Sequence, residues 1–229
     1  MRTLSRSPMD RLVYPVAALV LASLVAGCLT GGERERPPEN LTLNRATPGE
    51  WTGRLPAPSE TSLGRTRSIK GTQKIDPNRY SLRIFGLVED EMTLSFEDIL
   101  EYPYVERDNV MYCVEGWSWS ADWRGIAVRD LLQDAGVKPA GKRVIFYAAD
   151  GYTSSFPVDE LMGSDAFIIG YMANGDYLPE RSGYPARLIA EGKWGYKWVK
   201  WVVQIEVTEN EDHRGYWESR GYSDSADVK

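Results

Sequence analysis

The stretch MYCVEGWSW, residues 111–119, contains one of only two cysteines in this chain of 229 residues. The thiol of Cys113 follows an apolar run and precedes a Glu-Gly-Trp segment. A catalytic cysteine of the protease type needs a histidine base, and the only histidine, His213, lies in a distant charged stretch. A single histidine also excludes most zinc sites. The thiol is therefore either an inert core side chain or a ligand to a soft metal.

The N-terminal sequence differs from the rest of the chain. Three isolated arginines, none in a twin-arginine pair, precede an apolar run that ends in small residues before Cys28. This pattern indicates either a lipoprotein signal peptide over residues 1–27, with the lipid on Cys28, or an uncleaved membrane anchor. Either one predicts that the following domain lies outside the cytoplasm, anchored to the outer face of the cytoplasmic membrane. Residues 28–64, rich in Pro, Gly, Thr and charge, are predicted to be a flexible tether.

Residues 65–229 are predicted to form one mixed α+β domain that is rich in β structure. Apolar alternation and apolar runs predict strands over 80–88, 109–114, 142–149, 166–173, 187–192 and 202–209. Helices are expected over 95–102, where Ser95 is the N-cap, over 125–137, where Gly136 ends the helix, and over 157–163. The net charge of −6, without a basic block, argues against nucleic acid as a partner.

Four separated blocks of the sequence resemble the sulfite oxidase family of molybdopterin-dependent oxidoreductases. CVEGWS, followed by WRGIAVRDLL, resembles the molybdenum-binding segment of that family. The other blocks, in the family's order, are SIKGTQKIDPNRYSLRIFGLV (68–88), RSGYPARLIAEGKWGYKWVKW (181–201) and GYWESRGYSDSADV (215–228). The CVEGWS segment is most similar to the periplasmic protein-methionine-sulfoxide reductases and to short stand-alone relatives. The resemblance implies a single sulfite-oxidase-type molybdopterin-binding domain over 65–229.

The resemblance also implies a cofactor, a molybdenum-molybdopterin (Mo-pterin), with Cys113 as the protein ligand to the metal. Such a centre performs two-electron oxygen-atom transfer while the protein positions it and controls access to it. A bound metal would hold the thiol deprotonated and protect it from oxidation. A lone cysteine in an exported domain is then explained, because the metal takes the place of a disulfide partner.

The block 181–201 implies the residues that bind the pterin and its terminal phosphate. Phosphate needs cations and backbone donors, and glycine allows close approach of the backbone. The candidates are Arg187, Lys197, Lys200, Gly195, Tyr196 and Ser182, with Thr153 and its neighbour Tyr152 from a family strand near the cofactor. The alternative is that these cations form a solvated surface beside a tryptophan-rich core face.

Two further residues are candidates for a part in the reaction. Tyr222 falls where sulfite oxidases carry an active-site tyrosine, and a phenol can donate a hydrogen bond and relay a proton. Glu115, two residues after the thiol, either faces the metal or caps a turn. Arg220 either adds positive charge or is a solvated arginine. The pocket wall and the core beside it are expected to include Trp117, Trp119 and Trp123.

The sequence departs from the sulfite oxidases in the segment GRTRSIKG (64–71), which lacks the Arg-Asn-His triplet that helps those enzymes to bind sulfite. Arg65, Arg67 or Lys70 can substitute for it. The expected substrate is sulfite or an S- or N-oxide such as methionine sulfoxide. Electrons then pass to or from a separate partner, a cytochrome or a membrane quinone-linked subunit. The alternative is a non-catalytic lipoprotein that keeps the fold as a binding module, whereas a thiol-redox protein would need a second, resolving cysteine.

Overall fold

A computed structural model of the chain describes residues 55–229. The predicted signal peptide or anchor, residues 1–27, and the predicted lipid site at Cys28 lie outside the described residues. Residues 55–64, the described end of the predicted tether, contact the domain, and Leu63 is buried in its core. Among the helices of residues 55–229, none combines the length and the apolar character needed to cross a membrane.

Ten strands and three short helices make up the domain. In chain order they are β1 (Ser81–Gly86), β2 (Met92–Ser95), α1 (Phe96–Glu101), β3 (Val105–Tyr112), β4 (Ser118–Ala127), α2 (Val128–Ala135), β5 (Arg143–Ala148), β6 (Thr153–Pro157), α3 (Val158–Met162), β7 (Phe167–Ala173), β8 (Asp176–Tyr177), β9 (Arg187–Ala190) and β10 (Val202–Thr208). Short 3-10 helices cover Pro77–Arg79, Glu180–Ser182, Gly195–Lys197 and Glu218–Arg220.

The strands form two mainly antiparallel sheets. The first sheet has the order β2-β1-β10-β5-β6, and its β1–β10 pair is parallel. The second has the order β3-β4-β7-β8, with β9 also paired to β7. Phe156 of β6 meets Phe167 of β7 with ring centroids 5.0 Å apart, which joins the two sheets through the core. The predicted fold class, a single β-rich α+β domain, is confirmed.

Two of the predicted helix boundaries are confirmed by their hydrogen bonds. Ser95 caps α1: its hydroxyl accepts from the backbone N–H of Asp98, and the Asp98 carboxylate accepts from the Ser95 N–H at 2.7 Å. Gly136 ends α2 in the left-handed conformation, with a φ of 68°.

The helix predicted over 125–137 is wrong in its first turn. Residues 125–127 are the end of β4, where Gly125, Ile126 and Ala127 pair with β7, and α2 begins only at Val128. An added Cβ at Gly125 would lie 2.2 Å from the carbonyl oxygen of Ile169, so only glycine fits between the two strands. The predicted strand over 109–114 is also displaced, because β3 ends at Tyr112 and leaves Cys113 in the following turn. The strand expected over 187–192 ends earlier, at Ala190.

Candidate active site

The thiol of Cys113 is presented by the tight turn between β3 and β4. The Cys113 N–H donates to the carbonyl of Trp117 at 2.8 Å, and the Gly116 N–H donates to the carbonyl of Cys113 at 3.0 Å. Gly116 has a φ of 83°, which favours glycine. The thiol is free and partly exposed. Burial raises its pKa, while the backbone amide of Glu115 and the nearby arginines oppose that rise.

A cleft opens at this turn. Its walls come from the chain before β1, the end of β3 and the β3–β4 turn, the β5–β6 turn, β9 and the segment after it, and the C-terminal segment. Aromatic side chains dominate the lining: Trp117, Tyr152, Tyr196, Trp198, Trp201, Trp217 and Tyr222. Trp117 thus forms a wall of the pocket as predicted, while Trp123 is buried in the core and Trp119 packs against the core.

Arg187 is a buried cation at the cleft. Its guanidinium donates to the carbonyls of Ser182 at 2.9 Å and Trp198 at 3.3 Å, and it lies 5.3 Å from the ring centroid of Trp123. Burial lowers its pKa to about 9. In the part of the chain that the structure describes, no carboxylate forms an ion pair with Arg187, and its Nε has no hydrogen-bond partner.

Lys200 also lines the cleft, and its ammonium donates to the carbonyl of Arg181 at 3.1 Å. Burial and the neighbouring Arg187 lower the pKa of Lys200 to about 7, with Asp150 acting in the opposite direction. Arg187 and Lys200 are called here the cationic end of the cleft. Both cations are shielded from water and repel each other. A bound anion would offset both their repulsion and their desolvation.

The structure does not bring Lys197 to the cleft. Its side chain is fully buried, and its ammonium lies 2.7 Å from the Glu218 carboxylate and donates to the carbonyl of Ser155 at 2.8 Å. Asp224 adds a second carboxylate at 3.6 Å. These two carboxylates neutralise the charge of Lys197. A phosphate at the cleft would therefore have to rely on Arg187 and Lys200.

The remaining cofactor candidates are placed differently from one another. Gly195 and Tyr196 line the cleft, whereas Ser182 and Thr153 do not. A Cβ at Gly195 would lie 2.5 Å from the sulfur of Met111, so the glycine permits close packing on β3. The Ser182 hydroxyl is buried, and no partner for it lies in residues 55–229. Tyr152, next to Thr153, reaches the cleft and donates to the carbonyl of Tyr196 at 2.5 Å.

Glu115 lies at the mouth of the cleft, where its carboxylate accepts from Trp117 Nε1 at 3.0 Å and from Arg67 at 3.1 Å. These two bonds lower the pKa of Glu115. Tyr222 lines the cleft and packs against Tyr196, with ring centroids 5.2 Å apart. Arg220 does not line the cleft, because its guanidinium lies over the ring of Tyr216 at 3.7 Å.

Several lining residues were not predicted from the sequence. The sequence offered Arg65, Arg67 and Lys70 as substitutes for the missing sulfite-binding triplet. Of these three, only Arg67 lines the cleft. The unpredicted residues are Thr66, Ser68, Ile69, Met111, Val114, Asp150, Trp198, Trp201 and Trp217. Met111 and Val114 flank the cysteine and Trp217 stands in the C-terminal block, so those motifs contained a signal. Residues 66–69 precede every predicted strand and helix, and their only signals were the family block that begins at Ser68 and the positive charge of Arg67.

The residues of the cleft fit a molybdopterin. A thiolate is a ligand type that soft metals prefer, and Cys113 supplies it without a disulfide partner among the described residues. The cationic end offers two cations for a phosphate, and the unpaired Arg187 Nε and Ser182 hydroxyl offer further polar groups close by. Aromatic walls suit a flat heterocycle.

This fold and this cleft define a cofactor-binding domain of the sulfite oxidase type. The family model described as the oxidoreductase molybdopterin binding domain matches residues 69–217. The chain belongs to this family and is therefore a molybdenum-dependent oxidoreductase.

Similar proteins share the domain. An uncharacterised oxidoreductase of Bacillus subtilis is 35% identical over 148 residues, which are 64% of this chain and 74% of that protein. The catalytic subunit of a protein-methionine-sulfoxide reductase of Gluconobacter oxydans is 28% identical over 218 residues, covering 82% of this chain and 69% of the relative. The crystal structure of the sulfane dehydrogenase SoxCD of Paracoccus pantotrophus matches with a TM-score of 0.58 at 30% identity. That match covers 61% of this chain and 41% of the SoxCD chain.

Proposed function

We propose that this chain catalyses oxygen-atom transfer at a molybdenum held by Cys113 and a molybdopterin, with sulfite or an S- or N-oxide such as methionine sulfoxide as substrate. One observation carries the proposal: a single free thiol and a buried guanidinium without a carboxylate partner among the described residues line the same cleft. A soft metal ligand and an anion site are the two elements that a molybdopterin needs from a protein.

The chain would hold the cofactor at both ends of the cleft. Arg187 and Lys200 would bind the terminal phosphate, and Tyr196 and Trp198 would flank the ring system. Cys113 would supply the thiolate ligand, and metal binding would overcome the raised pKa of its thiol. When bound, the cofactor supplies two-electron oxygen-atom transfer, and the protein orients it and limits the access of water.

Tyr222 and Glu115 would have different roles at the mouth. The hydrogen bond from Trp117 and the charge of Arg67 lower the pKa of Glu115, so its carboxyl is ionised and accepts hydrogen bonds at neutral pH. The hydroxyl of Tyr222 carries a proton that it can donate to a substrate oxygen. We therefore assign proton donation to Tyr222 and orientation of the Trp117 and Arg67 side chains to Glu115.

The electron partner would be a separate protein, a cytochrome or a membrane quinone-linked subunit. In support, the Gluconobacter oxydans relative is named as a catalytic subunit. We further propose that residues 1–27 are a lipoprotein signal and that a lipid on Cys28 anchors the domain to the outer face of the cytoplasmic membrane. The apolar run behind separated arginines supports that placement.

The test is turnover by protein purified from a host that makes molybdopterin. Reduction of methionine sulfoxide and of trimethylamine N-oxide would be measured with reduced methyl viologen, and sulfite oxidation with ferricyanide. Activity with at least one substrate that is lost in Cys113→Ala supports the proposal. A metal-loaded, folded protein that is inactive with all three substrates would favour the alternative of a binding module.

A further inference from the structure

Four cations are buried in the part of the chain that the structure describes: Arg143, Arg187, Lys193 and Lys197. Arg143, Lys193 and Lys197 each form an ion pair with at least one carboxylate. Arg187 is the exception, because no carboxylate among residues 55–229 pairs with its guanidinium. A buried charge without a counter-ion is unfavourable, so other groups must stabilise the ionised form of Arg187.

Two indole rings take the place of the carboxylate. The guanidinium carbon of Arg187 lies over the ring of Trp123, 5.3 Å from its centroid, and over the ring of Trp198 at 5.9 Å. The two rings meet edge to face, with centroids 6.0 Å apart, so the guanidinium lies in the corner between them. Indole has the aromatic face that attracts a cation most strongly, and the attraction grows where water is excluded. The two rings therefore stabilise the charged form of Arg187.

The two tryptophans are placed differently. Trp198 lines the cleft, and its Nε1 donates to the carbonyl of Lys193 at 3.0 Å. Trp123, on β4, does not line the cleft and is 1% exposed, and its Nε1 has no hydrogen-bond partner in residues 55–229. A residue that only fills the core gains nothing from a buried, unpaired N–H, which phenylalanine would avoid. The ring face that Trp123 turns to Arg187 gives the indole a second role.

An uncharged partner leaves the charge of Arg187 available to a ligand. A carboxylate at this place would cancel that charge and repel an incoming anion, whereas a ring face carries no net charge. The carbonyls of Ser182 and Trp198 likewise fix the guanidinium without adding charge, and its Nε stays free. The cation is thus oriented before an anion arrives, which reduces the cost of binding.

Lys200, the other cation of the cationic end, has the same kind of partner. Its ammonium lies 4.1 Å from the ring centroid of Trp201. Within the described chain it, too, forms no ion pair with a carboxylate. Both cations of the cationic end are therefore held by indole faces, while the other buried cations are neutralised by acids.

Resting on the phosphate role of Arg187 in the proposed function, we propose that Trp123 is a positioning residue for the anion site: its indole face holds the Arg187 guanidinium ionised and oriented in place of a carboxylate. Trp123 does not reach the cleft and acts through Arg187 alone. A change at Trp123 should therefore alter the affinity for an anion only while Arg187 is present, and the ring face should matter more than the volume.

The first arm of the test measures binding of pyrophosphate to the cofactor-free protein by isothermal titration calorimetry. Trp123→Leu removes the ring and should weaken binding at least fivefold, whereas Trp123→Phe keeps a ring face and should stay within threefold of the unaltered protein. In a protein that already carries Arg187→Met, Trp123→Leu should have no further effect. Phe146→Leu, which removes a buried ring from β5 in the first sheet, is the matched control and should bind like the unaltered protein.

The second arm observes the Nε–H group of Arg187 by nuclear magnetic resonance of cofactor-free protein labelled in its arginines. A proton over an indole face resonates upfield of its ordinary position, so the signal should be shifted in the unaltered protein. Trp123→Phe, the mildest change at this position, should reduce the shift, and Phe146→Leu should not. This arm decides the question even where Trp123→Leu fails to fold by circular dichroism.

Three results would each overturn the inference: unchanged pyrophosphate affinity in folded Trp123→Leu, an equal loss with and without Arg187, or an Arg187 signal that does not respond to Trp123→Phe. Equal affinity of the unaltered protein and Arg187→Met has a different meaning. It overturns the phosphate role of Arg187 in the proposed function, whatever the changes at Trp123 do. Neither arm depends on metal loading or on turnover.

Discussion

Lys197 and Glu218 form an ion pair in which neither side chain is exposed, with the ammonium 2.7 Å from the carboxylate. The hydroxyl of Ser154 donates to the same carboxylate at 2.8 Å. Lys197 directly follows Tyr196, and Glu218 stands four residues before Tyr222. The pair therefore ties together the two segments that supply those tyrosines to the cleft.

Replacing Lys197 by Met removes the charge and keeps most of the volume. The Glu218 carboxylate would be left buried without its cation, so the free energy of unfolding should fall by about 3–5 kcal/mol. Urea unfolding measures this change. Arg83→Met is the control, because its ion pair with Glu91 is exposed and should contribute less than about 1 kcal/mol. Equal losses in the two variants would contradict the assigned role of Lys197.

Lys200 should make the stability of the cofactor-free protein depend on pH. Its pKa in the folded protein is lowered to about 7, whereas an unfolded lysine titrates in its usual range near 10.5. Between these values the unfolded chain binds more protons than the folded chain, so stability should rise as the pH rises through that window. Urea unfolding at several pH values measures the slope. Lys200→Met should flatten it, and parallel profiles for the two proteins would show that Lys200 is not desolvated.

The cationic end should bind a phosphate-like anion even without cofactor. Pyrophosphate titrated into cofactor-free protein in a calorimeter should bind, and Arg187→Met should weaken binding at least tenfold, since charge-assisted hydrogen bonds contribute most of the energy. Binding should also weaken as the pH rises through about 7, because Lys200 then loses its proton. Lys142→Met, at an exposed lysine that does not line the cleft, is the matched control. Equal pyrophosphate affinity in the unaltered protein and in both variants would show that the anion does not bind at the cationic end of the cleft.

Gly125 should be intolerant of any side chain. A Cβ there would meet the backbone of Ile169 at 2.2 Å and of Gly170 at 2.6 Å, so Gly125→Ala has to separate β4 from β7. We expect a loss of about 3 kcal/mol or more in unfolding free energy. Gly175→Ala has an open space around its Cβ but a φ of 82°, so it should cost only about 1–2 kcal/mol. A smaller loss at Gly125 than at Gly175 would contradict the strand pairing.

Local signals sufficed to predict much of the fold. The strands containing Ile84, Phe146 and Ile205 were predicted because apolar residues recur along each segment, and Ser95 and Gly136 mark helix ends by their own hydrogen-bond and backbone preferences. The strand β4 was missed. Its first half mixes Trp, Ser and Asp on an exposed face, and its last residues form an unbroken apolar run that periodicity assigns equally well to a helix.

In the site, too, local sequence signals predicted some features and tertiary contacts decided the others. Lys197 and Lys200 stand three residues apart in one motif, and nothing local separates their roles. Contacts with Glu218 bury the first, whereas the second lines the cleft beside Arg187. The position of residues 62–69 beside the cleft was likewise unpredictable in detail, because it depends on contacts with Arg181 and Trp119, which are distant in the sequence.

Elemental analysis of the purified domain tests the central claim most directly. The protein, expressed in a host that makes molybdopterin, should contain close to one molybdenum per chain. Cys113→Ser, which keeps the size of the side chain but replaces the soft ligand, should contain almost none while remaining folded by circular dichroism. A folded, unaltered protein without molybdenum, or a Cys113→Ser protein that keeps the metal in full, would contradict the assignment of Cys113 as its ligand.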